Sequence, residues 1–303
     1  MWFKNIRLYR FTKPFELTPE ELEEKLAEHT FHPCGKHDQS KYGWTSPLGR
    51  HGEMLTHVTG EYIMICAQKQ EKILPASVVN EAVQEKVEEI EAKQGRKVFR
   101  KEKLQLKDEA TLTLLPKAFA RTSKTFAYFA PKDNLLVVNS SSANKAEELL
   151  GFLRNSIESL PVIPPNAKNI PSEVMTLWLQ HQTAGENFEI DQECELYNPA
   201  EDGNVVRCKG QDLYSDEIQS HLAAGKQVKK LGVLWKDALS CILEDDLTIK
   251  RLKFQDMVLE KADEADAESA AEQFDQDFAV MSLELSKFFK SLFKAFGGLQ
   301  RKI

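Results

Sequence analysis

The chain of 303 residues has few cysteines, and they form no recognisable pair. The five cysteines are scattered, odd in number and without a C-x-x-C motif, which argues against a disulfide framework. Cys66 and Cys241 lie in apolar runs and are predicted to be small core residues. We therefore expect reduced thiols.

Long hydrophobic runs are also missing. No stretch of about 18 apolar residues is present to span a bilayer, and residues 1–7 lack the apolar region of a secretory signal. Apolar residues make up 42% and charged residues 29% of the chain, as in soluble globular proteins. We therefore expect a cytoplasmic protein, long enough for two or three sub-domains.

Motifs for catalysis and cofactors are absent as well. Neither G-x-x-x-x-G-K-[ST] nor G-x-G-x-x-G occurs, so nucleotide hydrolysis is unsupported. Two clusters contain metal-ligating residue types: His29, His32, Cys34 and His37 in the first, and Glu244, Asp245 and Asp246 in the second. The first matches no structural zinc spacing, and acids at a strand turn are usually solvated. We expect no catalytic residue, no metal and no cofactor.

Positive charge is concentrated in one segment of an acidic chain. The net charge is −7, yet residues 93–132 hold eleven lysines and arginines against three acids, which leaves −15 for the remainder. Such segregation is typical of a protein that holds a polyanion while staying soluble. No zinc-finger spacing, helix-turn-helix or aromatic RNA-binding signature accompanies the segment, so phosphate contacts are favoured over base reading.

The first 160 residues alternate strands and helices. Residues 2–11 alternate as a strand, and Thr18 with Glu21 forms the capping box that begins a helix. We then predict a hairpin at 56–67, a helical stretch at 77–115 that breaks near Gly95, a strand pair at 126–129 and 135–138, and a helix at 144–159.

A proline-rich segment at 161–171 is predicted to be a linker without regular structure. Beyond it we predict a strand at 174–180, a helix opening at 215–218, and strands at 228–235, 238–243 and 247–254. This order resembles that of the first seventy residues, so the predicted fold is a mixed α/β (α+β) protein with two pseudo-equivalent strand–helix–hairpin halves. The predicted domains are the two halves of a central domain at 1–75 and 171–254, a basic tip at 76–170 and a helical base at 255–303.

The C-terminal region joins an acidic segment to a phenylalanine-rich helix. Residues 256–277 hold nine acids against Lys261 alone, and residues 278–296 follow a helical pattern. The apolar stripe of this helix comprises Phe288, Phe289, Leu292, Phe293 and Phe296. A stripe of this kind fits a core, a dimer interface or a membrane-surface helix. A peripheral membrane or scaffold protein is therefore the alternative function, although anionic lipid would repel the preceding acids.

Several short blocks along the chain resemble one bacterial family. They are WFKN at 2–5, FHPCG at 31–35, EKILP at 71–75, LLPKAFAR at 114–121, QDL at 211–213 and KRLKF at 250–254. In this order the chain resembles the recombination-associated protein RdgC family over essentially its whole length. The resemblance implies a ring-shaped homodimer around duplex DNA that binds without sequence preference, restrains RecA-type strand exchange and has no catalytic activity.

The resemblance also implies roles for individual residues. It places an apolar finger at 114–121, with Leu115, Pro116 and Phe119 at a dimer contact, whereas the residues alone favour a core position for Phe119. Together with the basic segment, it gives a predicted DNA-binding set of Lys93, Arg96, Lys97, Arg100, Lys101, Lys117, Arg121, Lys124, Lys209, Gln211, Lys226 and Lys229. Gly210 stands where another basic residue is expected, so the second-half lining is predicted to be weaker.

The expected partners follow from the same resemblance. They are duplex DNA and a second copy of the chain, while single-stranded DNA and direct contact with RecA are left open. The expected location is the nucleoid in the cytoplasm, without membrane association.

Overall fold

The computed structural model describes residues 1–200, 203–263 and 267–300, which form two antiparallel sheets and eight helices. The strands are β1 (Arg7–Phe11), β2 (Ser40–Thr45), β3 (Thr56–Thr59), β4 (Tyr62–Lys72), β5 (Ala120–Ala130), β6 (Leu135–Val138), β7 (Val162–Ile163), β8 (Phe188–Tyr197), β9 (Val205–Lys209), β10 (Gln227–Trp235), β11 (Leu239–Glu244) and β12 (Ile249–Phe254). The helices are α1 (Pro19–Ala27), α2 (Ala76–Gln94), α3 (Arg100–Leu114), α4 (Ala143–Ile157), α5 (Pro171–Gln180), α6 (Asp216–Ala223), α7 (Asp256–Asp263) and α8 (Ala270–Ala295).

The first sheet has the strand order β2-β4-β5-β6-β1-β7, with β3 also paired to β4. Its side chains alternate between two faces, as strand geometry requires. One face packs against α1 and α4 in a core that includes Leu22, Phe129 and Leu149. The other face lies in a larger core with the second sheet and α8, where Tyr128, Val233 and Phe288 are buried together.

The second sheet has the strand order β12-β11-β10-β8-β9, so β9 is an edge strand, whereas the outer side of β12 is hydrogen-bonded to Lys4 and Ile6. Helix α8 contributes its phenylalanine stripe to the core shared by the two sheets. Phe288, Phe289, Leu292 and Phe296 are all buried there. Burial of this apolar stripe anchors the C-terminal helix to the body of the protein.

A long two-stranded ribbon carries α2 and α3 away from the first sheet. Strands β4 and β5 pair continuously from Ile63 opposite Phe129 to Lys72 opposite Ala120, and α2 and α3 are inserted between their far ends. Gly95 ends α2 in the left-handed conformation, with φ of 61°, which glycine adopts without steric cost. The two helices have a small core of their own, formed by Val87, Val98 and Leu106.

Most of the predicted elements are confirmed, including the mixed α/β class, the capping box of α1, the hairpin of β3 and β4, and the helix break at Gly95. The strand predicted at 174–180 is wrong, because these residues belong to α5, which begins at Pro171. Residues 171–254 therefore open with a helix, and strands β8 and β9 follow where no strand was predicted. The two pseudo-equivalent halves remain a prediction, and the strand expected to open the second half is replaced by helix α5.

Other expectations need adjustment at their boundaries. The proline-rich segment is not wholly irregular, because Val162 pairs with Phe11 of β1 through the short strand β7. Within the predicted tip at 76–170, strands β5, β6 and β7 return to the first sheet, and α4 packs on it. Residues 264–266 and 301–303 of the predicted base, including acids Glu264 and Asp266, lie outside the described residues.

Candidate nucleic-acid interface

The far end of the helical hairpin is strongly basic. Lys97 precedes α3, and Arg100, Lys101 and Lys103 occupy its first turn, where the helix dipole is positive and cations are not stabilised. The residue before the helix, Phe99, provides no side-chain cap for the first backbone N–H groups. Cations and uncapped N–H groups at one helix start are an arrangement that attracts an anion.

Helix α3 carries exposed cations beside its buried residues. Arg100, Lys103 and Lys107 recur at intervals of three and four residues, so they lie on one side of the helix. Leu106 and Ala110 lie three residues after Lys103 and Lys107, so they border this row, and both are buried. The helix therefore presents a row of cations while its apolar side holds it in place.

Several members of the basic segment are paired with acids. The Arg96 guanidinium donates to both oxygens of Glu102, each at 2.8 Å, and Arg121 pairs with Glu71 at 2.6 Å. Lys93 pairs with Glu89, and Lys132 pairs with Glu61. The remaining cations form no ion pair within residues 1–200, 203–263 and 267–300; they are Lys97, Arg100, Lys101, Lys103, Lys107, Lys117 and Lys124. All seven are exposed and available to a ligand.

The two basic residues of β5 point to opposite faces of the ribbon. Arg121 has the same parity as Phe129, which faces α4, whereas Lys124 has the parity of Tyr128, which faces the second sheet. Their register partners on β4 are Glu71 and Gln68. The predicted DNA-binding residues of this strand therefore do not form a single surface.

The predicted finger is only partly exposed. Phe119 is 85% exposed, so the core position favoured by the residues alone is wrong. Its carbonyl oxygen accepts a hydrogen bond from the Ile73 N–H at 2.7 Å, which fixes the segment to the end of β4. Pro116 is exposed in a short 3₁₀ turn, but Leu115 is buried within the protomer. Pro116 and Phe119 can contact a partner, whereas Leu115 supports them from inside.

The predicted DNA-binding residues of the second half lie on other elements. Lys209 and Lys229 are exposed on β9 and β10. The Gln211 amide donates to the Glu217 carboxylate at 2.7 Å. Lys226 is buried, with 8% exposure, and its Nζ donates to Asn204 Oδ1 at 2.9 Å. Lys226 therefore holds a loop in place and does not present its charge to solvent.

A row of alternating charge across the second sheet was not predicted from the sequence. Glu195 accepts from Arg207 at 2.8 Å and from Lys230 at 3.2 Å. Glu244 continues the row, with Lys230 at 3.7 Å and Lys250 at 2.9 Å. Burial acts to raise the pKa of Glu195, but hydrogen bonds from Arg207 and Lys230 outweigh it and lower that pKa. Only strand register brings these five residues into line, so the sequence carries no local signal for them.

This row lines a depression of about 320 Å³ that also includes Lys209 and Arg251. Arg251 pairs with Glu193 at its edge. Within the described part of the chain, no hydrogen bond or ion pair joins this surface to the basic segment. The second sheet thus provides a separate charged surface.

Neither cluster considered for a metal ion is arranged around one: in the first, the Cys34 N–H donates to Gln70 and the His29 ring packs against Phe152. Glu244 belongs to the charge row, and Asp246 accepts from Arg7 at 3.4 Å and from the Thr248 N–H at 2.9 Å. Burial and the neighbouring Asp246 raise the pKa of Asp245. In the residues that the structure describes, no three or more His, Cys, Asp or Glu side chains are grouped to hold a metal ion.

The phenylalanine stripe that motivated the membrane alternative faces the core. Because Phe288, Phe289 and Leu292 are buried, they are not available to a lipid surface. No helix in the described ranges is both long and apolar enough to cross a membrane. The C-terminal helix therefore provides no support for the peripheral membrane function.

Comparison with known proteins identifies the chain's relatives. A family model described as "Putative exonuclease, RdgC" matches residues 1–299. A protein of Aeromonas hydrophila subsp. hydrophila named Recombination-associated protein RdgC is 50% identical over 303 residues, covering 100% of both chains. Proteins of the same name are 47% identical in Tolumonas auensis, over 98% of this chain and 99% of that protein, and 47% identical in Pseudomonas aeruginosa, over 98% of each. The chain belongs to the RdgC family of recombination-associated proteins.

Proposed function

We propose that this chain binds duplex DNA through its phosphates, without sequence preference, and acts in recombination as a homodimer. The observation that carries the proposal is a set of seven exposed cations on the helical hairpin and the ribbon below it, which form no ion pair with any residue that the structure describes. Neutralising phosphates and releasing their counterions is the main source of sequence-independent affinity for DNA.

The side-chain types favour contacts with phosphate over contacts with bases. Six of the seven unpaired cations are lysines, and only Arg100 carries a guanidinium. Lysine acts on phosphate as a point charge, whereas the planar fork of arginine can read guanine through two hydrogen bonds. Binding without sequence preference follows from this composition.

The rest of the molecule favours confinement of DNA to one side. Outside residues 93–132 the chain carries a net charge of −15, which repels a polyanion from other surfaces. We propose that two copies meet at the Phe119 finger and enclose the duplex between them. The second contact is proposed at the opposite end, near α8, where Leu283 is an apolar residue with 54% exposure.

Occupation of duplex DNA provides the proposed link to recombination. A protein that covers the phosphates of a duplex competes with RecA-type strand exchange for the same DNA, whether or not it touches RecA. A protein that covers duplex DNA in this way is located at the nucleoid. Single-stranded DNA, with a lower charge density than duplex DNA, is expected to bind less tightly.

Equilibrium binding tests the proposed ligand. Two duplexes of equal length and unrelated sequence are titrated at the same salt concentration, with the corresponding single strands as competitors. We expect dissociation constants for the duplexes that agree within about twofold, and weaker competition by single strands. A strong preference for one duplex, or for single strands, contradicts the proposal.

We also propose that the chain has no nuclease activity, although its family description mentions an exonuclease. This rests on the acids that would bind a catalytic metal, since Glu244 and Asp246 are paired with cations in the folded protein. End-labelled duplex incubated with the protein and Mg²⁺ or Mn²⁺ should stay intact. If the protein releases nucleotides and an Asp246→Asn variant does not, the chain is a nuclease and this proposal is wrong.

A further inference from the structure

Two cysteines that are far apart in sequence face each other across the edge of the second sheet. Cys194 of β8 is the register partner of Cys208 of β9 in a ladder without a bulge. Both side chains are buried, with 3% exposure for Cys194 and 9% for Cys208. The other three cysteines, Cys34, Cys66 and Cys241, lie on different elements.

The backbone hydrogen bonds define the type of this strand pair. The Asn198 N–H donates to Asn204 O, and the Gly210 N–H donates to Gln192 O. Directly hydrogen-bonded pairs recur at every second position of an antiparallel ladder, so Cys194 and Cys208 also form one. The Cα atoms of such pairs are about 5.5 Å apart, within the range of about 4.4–6.8 Å that a disulfide spans.

We propose that Cys194 and Cys208 form a reversible intrachain disulfide under peroxide, which joins edge strand β9 to β8. The Cβ atoms of opposed residues in a directly hydrogen-bonded pair are near the upper end of about 4.5–5.5 Å, longer than the roughly 3.8 Å of an unstrained disulfide. Closing the bond pulls the strands together, and a strained disulfide is readily reduced again.

The reaction proceeds in two balanced steps. The Cys208 thiol gives up its proton and its sulfur attacks hydrogen peroxide; the O–O bond breaks, the leaving hydroxide takes up that proton, and the products are a sulfenic acid and water. The Cys194 sulfur then attacks the sulfenic sulfur, the S–S bond forms, the S–O bond breaks, and the departing hydroxide takes up the thiol proton as a second water. In total two thiols lose two electrons, and one peroxide becomes two waters.

The positions of the two thiols decide their roles. Cys208 lies on the edge strand and retains more exposure than Cys194, so peroxide reaches it first. Burial and Cys208 raise the pKa of Cys194 to about 12, so this thiol stays protonated and unreactive until the sulfenic acid forms beside it.

The disulfide would fix a strand that leads into predicted DNA contacts. Strand β9 ends at Lys209, and the chain then passes Gly210 to reach Gln211. The Gly210 N–H already bonds to Gln192 of β8. A covalent link two residues before Gly210 would hold this end of the strand against opening, so the amides of β9 should exchange more slowly after oxidation.

Thiol counting tests the proposal in the full-length chain. Cys34 is the one cysteine that is not buried, so a Cys34→Ser background removes links between molecules. After peroxide treatment and denaturation, its four remaining thiols should fall to two, and dithiothreitol should restore four. Peptide mapping without reductant should show one linked pair, containing Cys194 and Cys208.

Matched variants in the same background separate this pair from general oxidation. Cys208→Ala should lose no thiols reversibly, whereas Cys241→Ala should still lose two, because Cys241 is buried opposite Val233 and not opposite a cysteine. An unchanged thiol count, a loss that dithiothreitol does not reverse, or a linked peptide joining other cysteines would overturn the proposal. Peptide mapping of the Cys34→Ser protein decides the question even if Cys208→Ala fails to fold.

Discussion

Arg96 is a cation of the basic segment that the protein itself partly neutralises. Its guanidinium is held by both oxygens of the half-buried Glu102 carboxylate, and this arginine lowers the pKa of Glu102 through its hydrogen bonds. A phosphate must compete with that carboxylate for the same N–H groups. A phosphate contact by Arg96 would therefore require displacement of Glu102, whereas Lys97 beside it has no such competitor among the described residues.

Removing the carboxylate should strengthen DNA binding. In Glu102→Gln, Arg96 loses its anionic partner, so we expect duplex affinity to rise several-fold and the salt dependence to steepen by up to about one unit. Fluorescence anisotropy titrations measure both. Glu109→Gln is the matched control, since Glu109 pairs at 3.7 Å with Lys86, outside the predicted set. Unchanged or weaker binding by Glu102→Gln would show that Arg96 does not contact DNA.

Phe119 should affect retention of DNA without affecting charge. Because its side chain is 85% exposed, Phe119→Ser should change the free energy of unfolding by less than about 0.5 kcal/mol. If the finger closes the dimer, the variant should dissociate faster from circular duplex DNA, while its salt dependence stays the same.

Leu112→Ser is the matched control for this variant, because Leu112 is an apolar residue of the same hairpin with 55% exposure. Dissociation rates are measured on circles, and circular dichroism verifies the fold. Equal rates for Phe119→Ser and the unaltered protein would remove Phe119 from the closing role.

At the residue scale, the sequence predicted the location of the charged segment better than the burial and the neighbours of individual side chains. The exposed basic segment was predicted because charge runs are visible in a sequence. Burial of Lys226 and the opposition of Cys194 to Cys208 were not, because both depend on loops and strand register. The sequence alone likewise favoured a core position for Phe119, because an apolar side chain is more often buried than exposed.

Among the elements, the helical hairpin of α2 and α3 has the smallest core. Val87, Val98 and Leu106 pack together apart from the two larger clusters. Leu106→Ala should lower the local stability of the hairpin by about 2 kcal/mol, at the low end for such a truncation because few neighbours surround it. Duplex affinity should fall as well, since α3 carries much of the basic surface.

Hydrogen exchange locates this effect. Amides of α2 and α3 should exchange faster in Leu106→Ala, while those of β5 and β6 keep their protection. Leu104→Ala is the control, since Leu104 is on the same helix with 55% exposure and should leave exchange unchanged. Loss of protection throughout both sheets would contradict a separately packed hairpin.

Element prediction succeeded where local chemistry specifies an end. Thr18 and Glu21 form the capping box of α1, with hydrogen bonds of 3.2 and 2.9 Å, and Gly95 ends α2. It failed at 174–180, where a short apolar run fits either a strand or a buried helix. Pro171 at the first helical position was the available signal for α5.

For the whole molecule, we predict a homodimer with two chemically different contacts. Sedimentation equilibrium at micromolar concentration should give about twice the mass of the 34.5 kDa chain. A Leu283→Lys variant, which places a charge on the exposed apolar position of α8, should weaken the dimer because one proposed contact lies there. A monomer at all concentrations would reject enclosure of DNA.

At this scale the sequence predicted the class of the fold but not its sheets. The order of strands in each sheet and the core shared by both sheets and α8 arise from contacts between distant residues, such as Tyr128 with Phe278. Segregation of charge was visible from the start, since it needs no knowledge of topology. The candidate interface was therefore predictable as a segment, but not as a surface.

The salt dependence of duplex binding tests the central claim most directly. If about six phosphates are neutralised, log K against log salt should have a slope near −5, equal for duplexes of different sequence. In the double variant Arg96→Ala/Lys97→Ala the slope should be shallower by about one unit for the loss of Lys97, and by up to about one more to the extent that Arg96 exchanges Glu102 for a phosphate. A flat plot for the unaltered protein, or an unchanged slope in the double variant, would contradict binding of DNA phosphates by the basic segment.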